Sequence, residues 1–127
     1  METIKLNGEE WDLDYVASMI FHAKGGLIYK KDKWKPRDAL VTKDKNRATI
    51  YDGQKYDPNQ FELVKGFWDH DHCEICNWTF KSADKTEDVE GYFNGYNWIC
   101  SDCFEKVLSK KELMEKLKFH YDHRNDN

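Results

Sequence analysis

Proline is nearly missing from this sequence of 127 residues, with two in all, and no Pro/Gly/Ser-rich stretch marks a linker. Apolar residues reach only 39%. No apolar run approaches the roughly 18–20 residues needed to span a bilayer. The opening segment, Met1-Glu-Thr-Ile-Lys-Leu-Asn-Gly-Glu-Glu10, lacks the apolar core of a secretory signal. There is no phosphate-binding glycine loop, no Gly-x-Ser-x-Gly and no His-Glu-x-x-His, so those common enzyme signatures are absent. Internal repeats and low-complexity tracts are lacking too.

What is present is charge, at 35%, and aromatic residues, at 15%, including five Trp. Disordered chains are poor in aromatics, so a folded domain over 1–127 is expected. Its core depends on large rings, each burying about 150–250 Å². Such a core is thin for the length, and a cross-link or a metal would help it. With no signal peptide, the expected setting is a reducing cytoplasm, where four cysteines favour metal over disulfides.

The net charge of −4 conceals an asymmetry. Lys30, Lys31, Lys33, Lys35, Arg37, Lys43, Lys45 and Arg47 face only Asp32, Asp38 and Asp44 within residues 30–47, a local +5. The plain reading is a solvated, lysine-rich loop region. The sharper reading is a patch for an acidic partner or nucleic acid, with Trp34 as its anchor.

The first part of the chain, 1–67, reads as mixed α and β. Ile4, Leu6 and Trp11 alternate around Asn7-Gly8, the strongest short hairpin signal; a helix starting at Asn7 competes with it. Asp12 suits a helix N-cap, with Tyr15, Val16, Met19, Ile20 and Ala23 as the packing face of a helix to about Lys24. Gly25-Gly26 ends that helix, and His22 lies off its face. Leu27–Tyr29, Ala39–Thr42, Ala48–Tyr51 and Phe61–Val64 read as strands.

The chemistry concentrates in Trp68-Asp-His-Asp-His-Cys-Glu-Ile-Cys-Asn-Trp78. Cys73 and Cys76 form one Cys-x-x-Cys pair, and Cys100 and Cys103 form another 23 residues later. Four soft thiolates at this spacing suit one tetrahedral structural Zn²⁺, with Zn–S of about 2.3 Å. Between the pairs, Asn94-Gly95 predicts a tight hairpin turn flanked by Tyr92, Phe93, Tyr96 and Trp98. After Cys100 the pattern turns helical, through Phe104, Val107 and Leu108.

Knuckle, hairpin, then a cysteine pair at a helix start: residues 68–108 resemble the treble-clef zinc finger. The resemblance implies Cys73, Cys76, Cys100 and Cys103 as the four ligands of one ion. It names a scaffold used for many purposes, not a function. The spacer Ala83–Glu90 reads as an exposed excursion. Ser109-Lys-Lys-Glu112 fits a capping box for a second helix over about 110–120, packing through Leu113, Met114, Leu117 and Tyr121. The zinc-binding part thus runs over 68–121, and 122–127 reads as a flexible tail.

His70 and His72 are the tempting catalytic residues, with an acid as general base. Four cysteines already close the tetrahedron, however, and a closed site cannot activate water. Asp69, His70, Asp71 and His72 therefore read as groups that orient the knuckle or as solvated side chains, with a second metal as the alternative. Glu74 and Asp102, inside the two pairs, read as exposed charges. The hairpin aromatics could stack bases but read first as the hydrophobic cover of the metal site.

The expectation is a small α+β domain, non-catalytic, acting as a binding or adaptor protein through protein–protein contact. Small acidic cytoplasmic proteins of this kind can neutralise basic partners, as bacterial toxin-immunity proteins do, although no motif selects that role. The alternatives are a nucleic-acid binder using residues 30–47 with Tyr92, Phe93 and Tyr96, and a zinc-dependent hydrolase.

Overall fold

The computed structural model describes residues 2–81 and 89–124. The spacer reading for residues 83–88 and the tail reading for 125–127 lie outside them. The chain opens with a hairpin, β1 (Thr3–Leu6) and β2 (Glu9–Asp12), in which Leu6 pairs with Glu9. Asn7 and Gly8 are therefore the whole turn, at φ of 49° and 84°. Both central residues of such a turn need positive φ, and Asn-Gly is the pair that supplies it most readily. The competing helix from Asn7 does not form.

Asp12 then caps α1 (Leu13–His22), accepting from the Asp14 amide at 3.1 Å. Leu13, Val16, Ala17 and Ile20 are its buried residues, while Tyr15 of the expected face is exposed. His22 is exposed and meets Tyr121 edge-on at 5.2 Å. Leu27–Tyr29 is not a strand. β3 (Lys30–Trp34) starts directly after it, and of Leu27–Tyr29 only Tyr29 is buried.

The basic region is part sheet and part turn: β3 is followed by β4 (Arg37–Thr42) and β5 (Ala48–Ile50), with Lys43, Lys45 and Arg47 in the turn between those two. Next come β6 (Phe61–Trp68), twice the length read from sequence, β7 (His70–His72) and β8 (Thr79–Lys81). β9 (Val89–Phe93) and β10 (Trp98–Ile99) lead to α2 (Ser101–Cys103). That helix continues as a wide π-type turn over Phe104–Leu108, in which the Ser109 amide reaches back to the Phe104 carbonyl at 2.9 Å. The last helix is α3 (Lys111–Asp122). The result is a mixed α/β fold with several small sheets: β1-β2, β10-β9-β3, β5-β4-β6 and β7-β8.

Two compact units form. The first comprises Met1–Lys33, His72–Thr79 and Glu90–Asn127; the second comprises Trp34–Asp71 and Phe80–Val89. In the first, α1 packs on α3. Leu117 of α3 is fully buried, and Phe21 and Tyr121 lie 5.4 Å apart. In the second, β4 is the central strand and buries Ala39, Leu40 and Val41. The β4–β6 register shifts between Arg37 and Ala39. There Gly66, at φ of 66°, donates its amide to the Asp38 carboxylate at 2.9 Å. A bulge leaves an amide out of the ladder, and this carboxylate satisfies it.

Two further expectations fail for local reasons. The Asn94-Gly95 turn is longer than two residues, since Phe93 pairs with Trp98 across Asn94-Gly-Tyr-Asn97. The Asn94 side chain accepts from the Tyr96 and Asn97 amides at 2.9 and 2.7 Å, which organises the four-residue loop. The capping box also does not form. Ser109 has helical dihedrals at the end of the preceding segment, and its hydroxyl donates to the Glu105 carbonyl at 2.7 Å. Lys110 is the N-cap residue of α3 and caps through no side-chain bond. No helix among the described residues is long and apolar enough to cross a membrane.

Candidate metal centre

The first unit gathers the four cysteines. Cys73 follows β7 and opens a turn that closes when the Asn77 amide donates to the Cys73 carbonyl at 3.0 Å. Asn77 takes φ of 64° to make that reversal. Two more backbone bonds fix the turn: Cys73 donates to Trp78 at 2.7 Å and Glu74 to Trp98 at 2.9 Å. Through the second bond, the strand that leads into Cys100 anchors the turn that carries Cys73 and Cys76. Cys100 then caps α2, with its sulfur accepting from the Cys103 amide at 3.5 Å. The Cys100 amide in turn donates to the Cys73 sulfur at 3.3 Å.

All four sulfurs lie within 4.8 Å of one another, and all four residues are buried. Cys73 and Cys103 stand 3.7 Å apart, and Cys76 and Cys100 stand 3.6 Å apart. A disulfide would need about 2.05 Å, so none is formed. A tetrahedron with metal–sulfur bonds of about 2.3 Å has edges of about 3.8 Å, close to these separations. The donor set thus fits one four-coordinate metal ion, and thiolate chemistry makes zinc the plausible one.

A residue that sequence reasoning missed roofs the cluster. Asn7, at the tip of the β1–β2 turn, points its carboxamide at the sulfurs. Its Nδ2 donates to Cys100 at 2.9 Å and to Cys76 at 3.1 Å. The Asn7 amide donates to the Asp102 carboxylate at 2.7 Å, and Lys106 lies 3.2 Å from the same oxygen. Asp102 is therefore a clasp that holds the turn over the cluster, not the exposed charge expected. Glu74 is also half-buried, and burial raises its pKa. Nothing in the sequence near residue 7 pointed to cysteines 69 and 93 positions away.

The thiols divide electrostatically. Cys100 is lowered to about 7, first by the hydrogen bond from Cys103 and then by that from Cys73. Cys76 is lowered as well, chiefly by Cys100, with Asn7 adding to the effect. Cys73 and Cys103 are raised, with the hydrogen bond to Cys100 as the first cause and burial contributing. Cys76 and Cys100 are the two sulfurs under Asn7, whose N–H groups favour their thiolate forms. Tyr29 lies close by, and burial pushes its phenol up to about 12, with the charges of Glu74 and Cys73 adding to the rise.

Asp69, His70, Asp71 and His72 lie outside the cysteine cluster, which is the one group of three or more possible metal ligands among the described residues. Asp71 instead accepts from two indoles, Trp34 at 2.8 Å and Trp68 at 3.0 Å, with Arg37 at 3.4 Å. His70 meets Asp69 at 2.9 Å, and His72 lies 3.4 Å from the Asn77 carbonyl.

Of the candidate binding residues, Trp34 is wholly buried and cannot serve as a surface anchor. Its ring packs 6.4 Å from Phe80. Lys30, Lys31, Lys33, Lys35, Lys43, Lys45 and Arg47 are exposed, and Arg37 is half-buried. Tyr92 stacks on Phe104 at 3.8 Å and Phe93 on Trp98 at 4.8 Å, so of these hairpin rings only Tyr96 stands out in solvent. Comparison of the chain with protein-family models, curated proteins and solved structures finds no match.

Proposed function

We propose that this chain is a non-catalytic, zinc-stabilised protein-binding module with a treble-clef-like frame. Cys73, Cys76, Cys100 and Cys103 would hold the ion, which supplies structural cross-linking when bound. The observation that carries this reading is the closure of the cluster: four sulfurs fill the tetrahedron and Asn7 covers the side where Cys76 and Cys100 meet. A hydrolytic zinc needs an open position for water, and this donor set leaves none.

The cross-link acts on segments far apart in sequence, the Asn7-Gly8 turn, the knuckle and the start of α2. A chain with a thin core gains folding free energy from such a tie. The surface carried by those segments is then the natural place for a partner. The nucleic-acid reading loses support because Trp34 is buried, and half-buried Tyr92 and Phe93 each already stack on a neighbouring ring.

Affinity capture by the zinc-loaded full chain, run beside Cys76→Ser, tests this reading. The expected result is a protein partner retained by the first and lost by the second. Binding to RNA or DNA that weakens steeply with salt, with no protein partner retained, would overturn it.

A further inference from the structure

A cleft of about 270 Å³ joins the hairpin to the knuckle. Asn7, Glu9 and Trp11 line it from the hairpin, and Cys76, Trp78 and Thr79 from the knuckle. Trp11 is stacked on Tyr15, with ring centres 5.2 Å apart and planes 18° from parallel. Trp78 leaves 40% of its surface in solvent. Indole faces are the strongest cation-attracting rings among the side chains.

The one charged side chain lining the cleft is acidic, and the segment that supplies it is acid-rich. Residues 2–15 hold Glu2, Glu9, Glu10, Asp12 and Asp14 against Lys5 alone. Four of these acids are engaged: Glu2 with Lys116, Glu10 with the Thr3 hydroxyl, Asp12 with the α1 N-terminus and Asp14 with His120. Glu9 has no such partner among the described residues, and it is the one that lines the cleft. Two indoles and an unengaged carboxylate make a receptor for an organic cation. A guanidinium suits it best, because its planar face stacks on indole while its edge forks onto a carboxylate. An ammonium does the first less well and the second not at all.

We propose that the cleft between Trp11 and Trp78 takes an arginine side chain of a basic partner protein, stacked on indole and paired with Glu9. This rests on the protein-binding reading and gives it a partner chemistry. It also links metal to recognition. Trp78 is positioned by its carbonyl bond from Cys73, and the hairpin wall is tied to the sulfurs through Asn7.

The test uses the zinc-loaded full chain titrated with hexa-arginine and with hexalysine, following the indole resonances of Trp11 and Trp78. Hexa-arginine should shift both saturably and bind more tightly than hexalysine. Glu9→Gln should weaken the hexa-arginine complex about tenfold, with zinc content unchanged. Trp78→Ala should weaken it further. Equal binding of the two peptides, unmoved indole resonances, or an unaltered affinity in Glu9→Gln would overturn the proposal. Partner capture by the full chain together with any of those results would reject the arginine cleft alone. Failure of both would reject the protein-binding reading as well.

Discussion

Replacing Asn7 with glycine removes one carboxamide and leaves the turn intact. Glycine adopts the positive φ of this position at no steric cost, and the backbone amide still reaches Asp102. The loss is therefore two N–H···S bonds, of 2.9 and 3.1 Å, to Cys100 and Cys76. Each is worth about 1–1.5 kcal/mol net, so Asn7→Gly should cost the metal-bound state about 2–3 kcal/mol. Expressed as zinc affinity, that is roughly a 30- to 150-fold loss. Asn7→Asp keeps the shape and tolerates the turn, yet it puts an anion beside a centre whose net charge is −2 when zinc is bound by four thiolates. Its affinity should fall below that of Asn7→Gly. Competition against a chromophoric chelator reads both affinities, and amide spectra report whether the hairpin persists. Affinity of Asn7→Gly within about threefold of the parent, or tighter binding by Asn7→Asp than by Asn7→Gly, would refute the reasoning.

Other outcomes follow from the same geometry. Cys76→Ser should lose stoichiometric zinc and several kcal/mol of stability, seen as unfolding at low denaturant; a folded variant of unchanged midpoint would count against a structural metal. Asp71→Asn leaves one of two indole N–H groups facing an amide NH₂, and should cost about 1–3 kcal/mol in urea denaturation followed by tryptophan fluorescence. An unchanged midpoint would show that Asp71 is not what holds Trp34 and Trp68. Burial keeps the proton on Tyr29 up to about 12, against about 10 for an ordinary phenol. The folded state thus binds that proton more tightly than the unfolded chain, so its contribution is whole below about pH 10 and disappears as pH rises towards about 12. Denaturant midpoints across that range should fall less in Tyr29→Phe than in the parent.

The sequence disclosed what is encoded locally. Asn7-Gly8 sets its own turn, Asp12 its own cap, and the two Cys-x-x-Cys pairs announce their chemistry by spacing. It was silent where a side chain acts at a distance. Asn7 was readable as a turn former because positive φ is a property of the residue itself. Its carboxamide's place over the sulfurs depends on how a hairpin docks, which no pattern near residue 7 records. Asn94-Gly95 misled for the opposite reason: the Asn94 side chain competes for the amides of residues 96 and 97 and lengthens the loop. Trp34 sits in a run of exposed lysines and so looked like a surface anchor. The carboxylate that draws its indole inward, Asp71, lies 37 residues away. Ser109 carries the letters of a cap, but the π-type turn before it claims the residue first.

X-ray absorption at the zinc edge of the purified full chain tests the central claim most directly. A closed Cys73–Cys76–Cys100–Cys103 centre predicts one zinc per chain, surrounded by four sulfurs at about 2.3 Å and no lighter ligand. An oxygen or nitrogen in that shell, or a folded chain that binds no zinc, would contradict it.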